Sequence, residues 1–257
     1  MTRVRRAAPV AALVAAVTLG TSGCDALRIP QPSPSPTAPT SSAALPTTGE
    51  VLVAVRTSAL SADSGRAVGT VGAGSAAPRL EVEGTSSGDD QRLVRTVAGR
   101  GTSVLLSVGD GHWLAGDLAF WRTVVPAATA PSRVGRWVPT TDAQVAEVAP
   151  ETLRGLVTAL LDAPAVARLE GSTTPVVVTE LGGRAAWVVG TATTGGRLWV
   201  AADGSGELLR ATITGTGAVD LVFDRWGRAT SWDAPAATER PVVPSPSVVP
   251  APPTAVG

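Results

Sequence analysis

The central part of this chain of 257 residues consists of short alternating segments separated by glycine-rich turns, an arrangement that restricts the possible folds severely. In segment 79–83, Leu80 and Val82 alternate with charged neighbours, as on a strand with one buried face. The same period of two recurs in four further sets: Val104, Leu106 and Val108; Leu198 and Val200; Leu209, Ala211 and Ile213; Val219, Leu221 and Phe223. Short glycine-containing turns join antiparallel neighbours. The pattern predicts a long up-and-down antiparallel sheet.

Other segments have a helical period. Segment 49–59 places Val51, Leu52, Val55 and Ala59 on one helical face, although its valines also suit a strand. A clearer helix is predicted from Pro150 to a stop at Pro164, with an apolar stripe of Leu153, Leu156, Val157, Leu160 and Leu161. Segment 141–148 adds a shorter helix. The predicted fold class is α+β, with the helical insertion across the hollow side of a curved sheet.

Cys24 is the only cysteine and stands where an apolar export segment ends. Arg3, Arg5 and Arg6 precede an apolar run, 7–20, that is too short to span a bilayer, so residues 1–23 are interpreted as a signal peptide. Small residues before Cys24 are typical of bacterial lipoproteins, in which this thiol carries a diacylglyceryl group. The alternative is ordinary secretory cleavage that leaves a free thiol.

Two segments rich in proline flank one domain. Residues 24–48 cannot bury enough apolar area to fold and are expected to form a tether that reaches up to roughly 70 Å in polyproline II geometry. Residues 49–235 form the predicted domain. Residues 236–257 are expected to be a disordered tail, with a wall-spanning or partner-docking segment as the alternative.

The composition restricts partners and origin. All 21 basic residues are Arg, and Lys, Asn and Tyr are absent, which indicates a GC-rich genome of actinobacterial type. Without residues 1–23 the chain has 18 Arg against 21 acidic residues, a net charge of −3 that disfavours nucleic acid as a partner. With one cysteine, the fold has no intrachain disulfide and depends on core burial.

Residues for catalysis are scarce. His112 is the only histidine and is interpreted as a turn residue at a strand end, since no Gly-x-Ser-x-Gly elbow accompanies it. Segment 203–207 superficially resembles a calcium loop but lacks the ligand spacing, so a hairpin turn is expected. No metal or cofactor is predicted, and an unrecognised hydrolase is the weakest hypothesis. Of the seven tryptophans, Trp121 beside Phe120 is the candidate for a pocket mouth or a membrane-touching rim.

Several segments, taken in order, resemble the actinobacterial lipoproteins of the LppX and LprG type, which have a LolA-like fold. The resemblance spans about 49–235 and rests on segments 111–117, 135–138, 198–203 with 208–210, and 223–235. Trp199 and Leu208 depart from the Tyr and Pro that are common in that family. The resemblance implies a half-barrel sheet with helices on its concave face, and a non-enzymatic envelope protein on the extracytoplasmic side of the cell membrane.

The resemblance also implies an apolar cavity that carries or presents the acyl chains of a lipid or lipoglycan. The pattern gives its expected lining: Leu80, Val82, Leu106, Val108, Trp121, Leu153, Leu156, Val157 and Leu160. The alternative is a regulatory or protein-binding lipoprotein that uses the same fold without bound lipid and acts on another envelope protein.

The role of Cys24 is testable in a host that processes lipoproteins. We expect Cys24→Ser to lose the covalent diacylglyceryl mass and to move the protein from the membrane fraction to the medium, because no other thiol can be acylated. Intact-mass spectrometry and fractionation measure both effects, with Ser22→Ala as the control. A wild-type protein that is secreted with a free thiol would contradict the lipid anchor.

Overall fold

The computed structural model describes residues 44–148, 151–228, 230–236, 239–241 and 243. The predicted signal peptide, Cys24, most of the tether, Pro150 and residues 244–257 lie outside this range. Within it, an eleven-stranded antiparallel sheet has the order β6-β5-β4-β3-β2-β1-β11-β10-β9-β8-β7. The strands are β1 Ser64–Val71, β2 Arg79–Thr85, β3 Asp90–Val97, β4 Gly101–Val108, β5 Gly111–Gly116, β6 Val138–Thr140, β7 Val177–Leu181, β8 Arg184–Thr191, β9 Gly196–Ala201, β10 Leu208–Ile213 and β11 Val219–Asp224.

The sheet consists of two meanders. Strands β1 to β5 pair in chain order, strands β7 to β11 do the same, and β1 pairs with β11 to join them. Strands β6 and β7 are the outer edges, so the sheet is open and not closed into a barrel. The predicted α+β class with a long up-and-down antiparallel sheet is confirmed.

Six α-helices lie in the described residues, and their apolar residues pack against one face of the sheet, which we call the helical face. We call the opposite face the outer face. The helices are α1 Thr48–Ser61, α2 Leu118–Val124, α3 Ala130–Arg133, α4 Asp142–Val148, α5 Leu153–Leu161 and α6 Pro164–Glu170.

Helix α1 confirms the helical interpretation of segment 49–59. Thr47 and Glu50 form a capping box that satisfies backbone N–H groups at its start. The predicted face is the buried one, with Val51, Leu52, Val55 and Ala59 in the core and Val53 on the outside. Burial of this stripe decides between helix and strand where the valines alone do not.

Helix α5 buries the predicted leucine stripe but begins at Leu153, after the N-cap Thr152. The predicted stop at Pro164 is correct, yet Pro164 also begins α6, a helix that the sequence pattern does not predict. Proline suits a first helical position because the N–H that it lacks has no partner there. The short helix over 141–148 is confirmed as α4.

Two predicted strand faces need correction. Leu105 of β4 stands opposite Leu93 and Leu114 and belongs to the core under the helices. Leu106 and Val108 therefore lie on the outer face, where Leu106 stands opposite Arg92 and Trp113. In β10 an irregularity between Leu208 and Arg210 places Leu208 in the helical core and Leu209 in an outer-face cluster. Such a bulge reverses the alternation that the sequence pattern relies on.

Gln91 fixes the start of α5 to the sheet. Its amide Nε2 donates to the Glu151 carbonyl at 3.1 Å, and its Oε1 accepts from the Leu153 N–H at 3.1 Å. The Gln91 residue is only 4% exposed, so water does not replace these bonds easily.

We expect Gln91→Ala to lower the free energy of unfolding by about 2 kcal/mol, because it leaves the buried Leu153 N–H and the partly buried Glu151 carbonyl without their partner. Denaturant titration at constant m-value measures the loss. Gln144→Ala, which removes an exposed glutamine bonded at the start of α4, is the control and has a smaller effect. Equal losses in the two variants would contradict the role of Gln91.

Candidate functional site

The centre of the helical face is filled with side chains. Leu80, Val82, Leu153 and Val157 are each at most 1% exposed and belong to one contiguous core cluster. These four residues were predicted to line a cavity, but they line none of the three cavities described below. Their burial stabilises the contact between α5 and the sheet.

A groove opens beside this core, where α5 and α6 lie over strands β1, β10 and β11. We call it the α5–α6 groove. Its volume is about 620 Å³. The lining is Val71, Leu156, Ala159, Leu160, Ala163, Pro164, Ala165, Arg168, Ile213, Thr214, Thr216, Gly217, Val219 and Leu221.

The α5–α6 groove is chemically apolar. Its walls are mostly aliphatic, and two threonines and a glycine come from the turn that follows β10. Among the described lining residues, Arg168 alone is charged. Of the predicted lining residues, Leu156 and Leu160 are found here. Small side chains at Ala159, Ala163 and Ala165 leave the space open, and no sequence pattern indicates them. The volume falls in the range of about 300–1,000 Å³ that is typical of ligand sites.

A second cavity of about 410 Å³ lies on the same face, between the β3–β4 hairpin and α2. We call it the Arg95 cavity. Its lining is Pro78, Arg95, Val97, Arg100, Gly101, Ser103, Phe120, Thr123 and Val124. Arg95 lies on the helical face because it stands opposite Leu80 of the core. The alternation of β3 does not show which face is covered, so no sequence pattern indicates this arginine.

Trp121 lies at a third cavity of about 280 Å³, which α2 forms with the β5–β6 edge. The residue is only 3% exposed, and its indole N–H has no hydrogen-bond partner among the described residues. Trp121 therefore forms an inner wall of this cavity, whereas the sequence suggests a pocket mouth or a membrane-touching rim. Its ring packs against Phe120 at a centroid distance of 5.2 Å.

His112 lies between a serine and an aspartate. Its Nδ1 is 2.8 Å from Ser107 Oγ, and its Nε2 is 3.2 Å from Asp142 Oδ1. These are the residue types of a hydrolytic triad, but Ser107 is 3% exposed whereas the Asp142 side chain is 92% exposed. A nucleophile must reach its substrate, so this order of burial does not suit acyl transfer. The three residues instead join α4 to the β4–β5 hairpin.

Segment 203–207, which superficially resembles a calcium loop, forms the turn between β9 and β10. Asp203 Oδ1 accepts from the Ser205 N–H at 2.9 Å, and Oδ2 accepts from Arg184 at 3.0 Å. The hydrogen bonds from Ser205, followed by Arg184, lower the pKa of the Asp203 carboxyl from 3.8 to about 2. Within the described residues, no group of three His, Cys, Asp or Glu side chains is arranged to hold a metal ion.

The described residues contain no helix that is both long enough and apolar enough to cross a bilayer. The structure thus defines an α+β class of protein: an open antiparallel sheet with helices on one face and an apolar groove at the junction of its two meanders. No protein-family model and no curated protein matches the sequence.

Two solved structures are similar to this chain. One is LprF from Mycobacterium bovis, with 14% identity, a TM-score of 0.45, and coverage of 74% of this chain and 97% of LprF. The other is the lipoprotein LppX of Mycobacterium tuberculosis, with 14% identity, a TM-score of 0.38, and coverage of 72% and 98%. LppX is one of the two lipoproteins that name the family which the sequence resembles.

The Asp203 turn gives a prediction about pH. The ionised carboxylate is favoured in the folded state, so its contribution to stability is complete above about pH 4 and is lost as the pH falls toward 2. We expect Ser205→Ala to raise the pKa of Asp203 toward 3.8, as measured by NMR titration of the carboxyl carbon. Ser87→Ala, in another exposed turn, is the control. An unchanged pKa in Ser205→Ala would contradict the assignment.

Proposed function

We propose that the protein is an envelope lipoprotein that binds an acyl chain of a lipid or lipoglycan in the α5–α6 groove and carries or presents it without catalysis. In this proposal, Cys24 holds the protein on the extracytoplasmic side of the cell membrane through a diacylglyceryl group. Residues 24–48 then keep the domain away from the bilayer surface.

The apolar groove of about 620 Å³ is the observation that supports this proposal. At the ~30 Å³ that a water molecule occupies in the liquid, a volume of this size holds a chain of about twenty methylene-sized units. Burial of about ten methylenes releases on the order of 8 kcal/mol before the costs of association. The groove therefore suits one acyl chain, and binding needs no polar recognition.

A second candidate function is a protein-binding or regulatory lipoprotein without bound lipid. The filled centre of the helical face favours it, because Leu80, Val82, Leu153 and Val157 occupy the space in which a deep lipid cavity was expected. In that case the protein acts on another envelope protein through its surface, and the groove remains a shallow feature between helices and sheet.

Native mass spectrometry of the full chain, released from detergent micelles, separates the two candidates. We expect non-covalent lipid on the wild-type protein, in addition to the covalent mass at Cys24. Ala159 is exposed and lines the groove, so Ala159→Trp fills the groove without displacing a core side chain. This variant should bind at least tenfold less lipid, because the new indole occupies the site of the acyl chain.

Ala167→Trp is the matched control. Ala167 is also exposed, but it lies on α6 outside the groove lining, so its replacement adds the same indole without blocking the site. Equal lipid binding in both variants would contradict the groove as the site. A wild-type protein without any non-covalent lipid would favour the protein-binding candidate.

A further inference from the structure

The charged residues that line the α5–α6 groove and the Arg95 cavity all have the same sign. Arg168 lines the groove, Arg95 and Arg100 line the cavity, and the described residues of both linings include no aspartate or glutamate. The whole chain has equal numbers of basic and acidic residues, so this separation is not a consequence of composition. Two apolar spaces with only guanidinium charges provide a favourable potential for an anion.

The two cavities are neighbours at one end of the sheet. The groove reaches Val71 at the end of β1, and the Arg95 cavity reaches Pro78 just before β2. The Val71 N–H donates to the Pro78 carbonyl at 3.0 Å, so one backbone pair separates the linings. Arg95 lies on β3, two strands from β1, which corresponds to about 10 Å at the usual strand spacing. One amphiphile can therefore reach both cavities.

Arg95 and Arg100 differ in exposure in a way that suits a headgroup site. The Arg95 Nε is buried, whereas Arg100 lies in the exposed β3–β4 turn. Asp117 lies next to Gly101 of this cavity, and its oxygens accept from the Thr102 N–H at 2.7 Å and the Phe120 N–H at 2.8 Å. Its carboxylate thus binds backbone groups at the start of β4 and of α2, and Asp117 is not among the described lining residues.

We propose that the ligand is an anionic amphiphile, with its acyl chain in the α5–α6 groove and a phosphate-bearing headgroup in the Arg95 cavity at Arg95 and Arg100. The guanidinium group presents paired N–H donors that match phosphate oxygens, and Phe120, Val97 and Val124 supply apolar surface beside them. This assignment rests on the proposed function and adds the chemical class of the ligand.

Competition between two defined lipids tests the assignment. The full chain in non-ionic detergent is offered equal amounts of dioleoylphosphatidic acid and dioleoylglycerol, which have the same acyl chains and differ only in the phosphate. Native mass spectrometry counts each bound lipid. We expect the wild-type protein to prefer the phospholipid about tenfold, since charge-assisted hydrogen bonds form only with that lipid. The preference should fall at 0.5 M salt, which screens exposed charges.

Variants of the two arginines show whether the preference for the phospholipid arises in the Arg95 cavity. We expect Arg95→Gln and Arg100→Gln to bind about fivefold to tenfold less phospholipid and unchanged amounts of dioleoylglycerol. Arg122→Gln is the matched control, because Arg122 is exposed on α2 next to lining residue Thr123 but does not line the cavity. Arg100 lies in an exposed turn, so Arg100→Gln provides the test even where Arg95→Gln fails to fold.

Three results would overturn the assignment. Equal binding of both lipids, unaffected by either arginine variant, leaves the groove as an acyl site and removes the headgroup site. A loss of phospholipid binding in Arg122→Gln as large as in Arg100→Gln shows a non-specific charge effect. Thermal stabilisation by inorganic phosphate that Arg95→Gln abolishes, without binding of either lipid, shows a site for free phosphate and contradicts the proposed function as well.

Discussion

The structure depends on the pairing between β1 and β11, which are more than 140 residues apart in sequence and joined over a register from Arg66–Asp224 to Val71–Val219. This pairing converts two meanders into one sheet and gives α5 and α6 a continuous surface to cover. On its helical face β1 has almost no side-chain volume, with Gly65, Ala67 and Gly69 in succession. A Cβ on Gly69 would lie 1.8 Å from the Asp220 carbonyl oxygen, so close pairing requires glycine there.

The same junction determines where the groove lies. Val71, Val219, Leu221 and Ile213 supply its floor from the ends of β1, β11 and β10, beyond the glycine-rich part of β1. The roof comes from α5 and α6 and the segment that joins them, which supply Leu156, Leu160, Pro164, Arg168 and the small side chains of Ala159, Ala163 and Ala165. The β1–β11 junction under α5 and α6 therefore has two consequences. Side chains pack tightly over the middle of the sheet, and they leave space at its end. An acyl chain would occupy the space that the alanines leave.

The outer face is stabilised by the chain that follows β11. Thr230 donates to the buried carboxylate of Glu83 at 2.8 Å, and the Arg225 guanidinium also contacts this group. The backbone N–H of Trp232 donates to Asp90 Oδ1 at 3.0 Å, and the Arg92 guanidinium lies over the Trp232 indole ring. Val243 packs against the cluster of Val94, Val104 and Ala115, although the sequence analysis assigned this residue to the disordered tail.

Sequence patterns predicted the fold class and several of its elements, and the differences have physical causes. Alternation located five of the eleven described strands, β2, β4, β9, β10 and β11, and two residues of the α5 stripe, Leu156 and Leu160, line the groove. In β4 both faces are buried, so the period of two did not show that Leu105 rather than Leu106 faces the helices. Ala159 and Ala163 keep the groove open because their side chains are small. Arg95 lines a cavity because of the residues that other elements place around it. A single sequence shows neither effect.

The central claim is that an acyl chain occupies the space between α5–α6 and the β1–β11 junction. A phospholipid with a photoactivatable diazirine near the end of its acyl chain, bound to the full chain and mapped by peptide mass spectrometry after illumination, tests this directly. The account predicts cross-links within residues 156–168 and 213–221. Cross-links confined to the outer face, or none at lipid concentrations that saturate binding, would contradict it.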